Sequence, residues 1–103
     1  MITHLCLISY SSPEAVDAEL RQAIEAAYRK LPSLIPGIVS MQVGHDLQLL
    51  EGNADLAILA SFESKDAFLN YSTHAAHAEV IFPVLGPHMK GYSTAQFSAD
   101  AAS

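Results

Sequence analysis

Apolar and polar positions alternate along residues 2–10, which sets Ile2, His4, Cys6 and Ile8 on one face of a strand and Thr3, Leu5, Leu7 and Ser9 on the other. Both faces are largely apolar, so both need cover. The period then changes. Val16, Leu20, Ile24, Ala27 and Leu31 recur at three- and four-residue spacing, the stripe of an amphipathic helix. Ser12 suits the cap of that helix, Pro13 its first position, Glu14 the positive end of its dipole, and Pro32 its end. Leu34 and Ile35 form an apolar hinge before Pro36-Gly37, which reads as a type II turn with a positive φ at the glycine. Residues 38–45 form a second strand, with Val39, Met41, Val43 and His45 on one face. Residues 54–62 form a third, where Leu56, Ile58, Ala60 and Phe62 alternate with Ala57, Leu59 and Ser61. Gly44 suggests a bulge or close packing. Between the strands, Glu51-Gly52-Asn53 has turn chemistry, while Leu47, Leu49 and Leu50 are too apolar for a free loop and predict partial cover. Ser64 caps a second helix over 65–71, residues 74–85 continue as helix to Pro83 or Gly86-Pro87, and 90–97 form the last strand. Residues 1–98 read as one domain and 99–103 as a flexible tail.

The order β-α-β-β-α-β predicts an α+β, ferredoxin-like fold: an antiparallel sheet with its helices on one face. The first and third strands are then central, and these are the strands that are apolar on both sides. A second copy covering the open face turns the pattern into a homodimer, a dimeric α+β barrel. Leu5, Leu7, Ala57 and Leu59 belong to that interface, and Ile2, His4, Ile8, Leu56, Ile58 and Phe62 to the helix side.

Composition narrows the function. The chain of 103 residues is half apolar, 16% charged and carries a net charge of -6. No basic stripe offers itself to nucleic acid or to an anionic membrane surface. There is no basic leader and no apolar run near the ~20 residues of a membrane span, so a soluble, cytoplasmic protein is expected. The single cysteine, Cys6, excludes an internal disulfide and reads as a buried, inert thiol. Neither a phosphate-cradling glycine loop nor a catalytic serine motif occurs. His74 and His77 share a helical face at a spacing of three, but with Glu79 alone nearby they read as solvated side chains. No metal and no cofactor is expected. His45-Asp46 reads as a surface pair or a dimer contact, and His88 as an exposed turn residue.

Candidate chemistry gathers in Tyr71-Ser72-Thr73-His74-Ala75-Ala76-His77. His77 can act as a general base near neutral pH, and Tyr71 can hold a carbonyl oxygen as charge develops on it. Six residues of one straight helix turn through about 600°, leaving the two side chains about 120° apart. A shared pocket therefore requires a break near Thr73-His74. His4 on its floor, with Leu56, Phe62 and Phe68 as apolar lining, would complete a small-ligand site. The competing reading is a filled core in which these groups bond to one another.

Taken in order, several segments resemble the stress-responsive dimeric A/B barrel (Dabb) family over residues 2–97. They are Thr3-His4-Leu5, Ile35-Pro36-Gly37-Ile38, Val43-Gly44-His45-Asp46, Ala54-Asp55-Leu56, Phe62-Glu63-Ser64, and Tyr71 followed six residues later by His77. The family is functionally mixed; one plant member closes a linear polyketide by an intramolecular aldol step. That resemblance implies a catalytic role for His77, an assisting role for Tyr71 and a pocket role for His4. The plant enzyme's second pocket histidine falls at Leu56, and the family's His-Pro-x-His reads His74-Ala75-Ala76-His77, without the proline that would enforce a break. Three readings stay open. The first is a small dimeric protein binding an apolar or carbonyl-containing ligand, or acting in a stress response. The second is a polyketide cyclase- or lyase-like enzyme using His77 and Tyr71, or a cofactor-independent monooxygenase-like barrel. The third is a structural protein that assembles through its apolar surface.

Overall fold

In the computed structural model, which describes residues 1–98, four strands form one antiparallel sheet: β1 (Ile2–Tyr10), β2 (Ile38–His45), β3 (Leu56–Phe62) and β4 (Met89–Ser98). Their order is β2-β3-β1-β4, so the two doubly apolar strands are central, as the ferredoxin-like pattern requires. The tail expected over residues 99–103 lies outside the described residues. Helices α1 (Ala18–Leu34), α2 (Lys65–Thr73) and α3 (Ala75–Leu85) supply the other layer. Ile24 and Leu31 of α1 and Ile81 and Leu85 of α3 meet Ile8, Leu56, Ile58 and Phe62 of the sheet in one core. Each such side chain fully buried contributes roughly 1.5–3 kcal/mol.

Several local details differ from the sequence expectation. Ser12 caps nothing with its side chain: Pro13–Ala15 form a separate 3-10 turn, and α1 begins at Ala18. Its cap is Asp17, whose Oδ1 accepts the Leu20 N–H at 2.8 Å. Pro32 sits inside the last turn, and the helix closes when the Ile35 N–H reaches the Leu31 carbonyl. In β2, Ile38 pairs with Phe62 but Ser40 pairs with Ser61, so Val39 is an extra residue. The bulge hands the helix side to Ile38, Met41 and Val43 and turns Val39 out, 50% exposed. The irregularity expected at Gly44 is thus at Val39, and a Cβ at Gly44 would meet nothing within 4 Å.

Gly37 behaves as its turn requires, with φ +93, and a Cβ there would come within 2.6 Å of Ala67 Cβ. Its carbonyl accepts the Glu63 N–H, which ties the turn to the approach of α2. The outer face of the sheet is open in the single chain: Leu7 and Leu59 are 39% exposed and Phe97 53%. Leu47, Leu49 and Leu50 are exposed as well, contrary to the partial cover expected of them, because within one chain the 46–55 connection has no layer to pack under.

Candidate functional site: a cavity between the second helical layer and the first strand

The required break occurs at His74. Its backbone is extended (φ -68, ψ 137) between α2 and α3, its N–H caps the Tyr71 carbonyl, and its Nδ1 accepts the Ala76 N–H at 3.0 Å. One residue therefore ends α2 and starts α3, a task that proline performs elsewhere by steric exclusion. The turn carries His77 round to Tyr71, and their rings meet edge to face with centroids 4.8 Å apart.

Four aromatic side chains of the predicted site form a continuous cluster. The His4 ring lies 5.0 Å from Phe68, 6.0 Å from Tyr71 and 6.3 Å from Phe62, and Phe62 lies 4.9 Å from Tyr71. Beside this cluster is a cavity of about 480 Å³ between α1, α2 and α3 and the β1-β4 half of the sheet. His4, Phe68, Tyr71 and His77 line it. Phe62 does not: it is wholly buried behind the His4 and Tyr71 rings. Leu56, assigned above to the lining, is not there either. It pairs with Ile8 and His45 toward the other end of β3, where it borders a groove of about 720 Å³ under the 46–55 connection. The cavity lies over β1 and β4, whereas β3 is roofed by the core, so no β3 side chain lines it.

Tyr28, Gln96, Thr94 and Tyr92 line the same cavity and were not singled out from the sequence. Tyr28 was findable, since it falls four residues after Ile24 and three before Leu31 on the buried stripe of α1. The β4 residues were not: their role depends on pairing with β1, which puts Tyr92, Thr94 and Gln96 opposite Ile8, Cys6 and His4.

The electrostatics keep the site neutral. Burial lowers the pKa of His77; burial, then the nearby His77, lowers that of His4. Burial raises the Tyr28 and Tyr71 phenols, and pushes the Cys6 thiol up to about 11; Cys6 is half-buried and lines the cavity, instead of being buried as expected. Near neutral pH the cavity therefore presents unprotonated imidazoles and intact phenols. Among the described residues, every side-chain nitrogen or oxygen fully removed from solvent has a hydrogen-bond partner. The Tyr28 and Tyr71 hydroxyls and the His77 ring have no side-chain hydrogen bond among the described residues, so they open onto the cavity they line.

A second polar group lies away from this cavity. The Tyr10 hydroxyl is 2.7 Å from His45 Nε2, His45 Nδ1 is 2.7 Å from Glu25 Oε2, and Glu25 Oε1 accepts from Arg29 at 3.1 Å. His45 is thus bonded within the chain to Tyr10 and Glu25 and does not pair with Asp46. It ties α1 to β1 and β2, and this bond is the main cause holding the Glu25 carboxyl below its ordinary range.

A sheet of this order roofed on one side by helices, with a cavity between the layers, defines a ferredoxin-like α+β protein. The chain belongs to the stress responsive A/B barrel domain (Dabb) family, whose profile matches residues 2–97. It is similar to a dimeric ferredoxin-like protein of unknown function from Thermobifida fusca YX, with 28% identity, 94% of this chain and 89% of that one covered, and a TM-score of 0.79. An Arabidopsis thaliana protein is 24% identical over 100% of this chain and 99% of its own, with a TM-score of 0.81. A hydroxynitrile lyase from Passiflora edulis is 18% identical over 97% and 94%, with a TM-score of 0.78. The last two likenesses concern the fold. No curated protein matches the sequence.

Proposed function

We propose that the protein binds a small, mostly apolar, carbonyl-containing molecule in the cavity beside His4, and that His77 removes a proton from the carbon next to that carbonyl. One observation carries the reading. The Tyr28 and Tyr71 hydroxyls and the His77 ring, which have no side-chain hydrogen bond among the described residues, line one mostly apolar cavity. Polar groups placed in this way are the usual orientation devices of small-ligand sites.

The chemistry follows from the protonation states. A neutral His77 has a lone pair for the proton. As the C–H bond breaks, its electron pair moves onto the carbonyl oxygen, and phenols that hold their own protons donate hydrogen bonds to the charge that develops there. The enolate so formed is the common intermediate of aldol closure and of retro-aldol-type cleavage.

The working unit in this proposal is a homodimer of single domains spanning residues 1–98. Its support is the open apolar face, with Leu7, Leu59 and Phe97 exposed, and the fact that the Thermobifida relative is described as dimeric.

The test of the base role is deuterium exchange in D2O at the α-carbon of a simple aryl ketone such as acetophenone, followed by proton NMR. The protein is expected to accelerate exchange above buffer, and His77→Ala to abolish the acceleration while the protein stays folded. Exchange no faster than buffer, or unchanged in His77→Ala, overturns the role.

A further inference from the structure

Gln96 of β4 lies directly opposite His4 of β1 in the sheet register, and its Nε2 is 2.9 Å from His4 Nδ1. With the Gln96 amide nitrogen placed toward the ring it donates and Nδ1 accepts, which puts the hydrogen of a neutral His4 on Nε2. Nε2 has no side-chain partner among the described residues, and by the rule that satisfies the other buried polar atoms it opens onto the cavity. Phe68 and Tyr71 pack against the ring and hold its plane.

We propose that Gln96 is a positioning residue: it fixes His4 as the Nε2–H tautomer, so that the cavity offers a neutral carbonyl ligand a further hydrogen-bond donor besides those of Tyr28 and Tyr71. This rests on the ligand site proposed above and narrows what it takes. All three donors are uncharged, and among the described residues no Lys or Arg lines the cavity. A carboxylate entering this space loses its hydration without meeting a cation, whereas a ketone or ester carbonyl accepts the same hydrogen bonds at much lower desolvation cost. The lowered pKa of His4 acts in the same sense, since an imidazolium there would favour the anion.

The inference is tested in two parts. In the first, nitrogen-15 NMR of histidine-labelled, ligand-free protein at about pH 8, where imidazoles are neutral, reads the tautomer directly. The wild-type protein is expected to show His4 protonated on Nε2. Gln96→Glu, which can only accept, is expected to move the proton to Nδ1. Gln96→Met, which removes the donor without adding charge, is expected to leave a mixture. A wild-type His4 protonated on Nδ1, or a tautomer indifferent to both substitutions, overturns the positioning role. In the second part, acetophenone and benzoate are titrated into the same samples. Acetophenone is expected to bind in preference to benzoate, and to weaken about tenfold in Gln96→Glu, the scale of one hydrogen bond. Benzoate binding as well as acetophenone overturns the neutral-carbonyl assignment. The expected tautomers with neither probe bound overturn the ligand site while leaving the Gln96–His4 bond established, so the two failures are distinguishable.

Discussion

At the scale of single residues, the positions that organise the site are those where one side chain meets two demands. His74 ends one helix and caps the next, and so does by hydrogen bonding what a following proline would do by exclusion. The need for a break was legible from the angle between Tyr71 and His77. Its agent was not, because capping by an imidazole depends on a rotamer and leaves no spacing signature. Gly37 is the opposite case, a backbone demand readable from Pro36-Gly37 alone. With φ +93 and Ala67 Cβ 2.6 Å from a would-be Cβ, Gly37→Val is strained twice, in its own backbone and against α2. It is expected to cost more than ~1 kcal/mol in chemical denaturation. A loss within error of zero would show that the turn relaxes freely.

At the scale of elements, the strands and helices followed from periodicity, and the misplacements share one cause: tertiary context chose among local alternatives of similar strength. Asp17 outcompeted Ser12 as a cap, which delayed α1 by a turn. The extra residue at Val39 reversed which side chains at the start of β2 face the helices, something no alternation count shows. Leu56 was misassigned for the same reason. Strand parity gave its face correctly but not which half of the sheet the cavity covers. The α2-α3 junction yields a direct check. His74 is already extended, as a residue before proline must be, and Ala75 is the first residue of α3, with no backbone acceptor for its N–H among the described residues. Ala75→Pro is therefore expected to be neutral or to stabilise by about 0.4–1 kcal/mol, read as an unchanged or raised Tm. A drop of several degrees would contradict the break as described.

At the scale of the whole molecule, two properties follow from groups far apart in sequence. The first is acid sensitivity. His4 and His77 titrate below their ordinary 6.5 in the folded state, and Glu25 below its ordinary 4.5. Between the ordinary and the folded values the unfolded chain binds more protons, so stability rises with pH there. The histidine contributions are whole above about 6.5 and that of Glu25 above about 4.5, and each is lost as pH falls through the folded value. Tm is expected to fall from about pH 7 to pH 5 and to fall less in His77→Gln; a flat profile in the wild-type protein would contradict the buried neutral histidines. The second property is assembly. Leu59→Asp places a charge on the open apolar face and is expected to convert a sedimenting dimer to monomer, or to unfold it; a wild-type protein that sediments as a monomer at micromolar concentration would remove the dimer from the account. The central claim is that ligand enters the cavity beside His4 and not the larger groove beside His45. Carbon-13 NMR of the five histidine rings during an acetophenone titration tests it most directly. Saturable shifts at His4 and His77, with His45, His74 and His88 unmoved, are the expected result. Shifts confined to His45, or none at any ring, would contradict it.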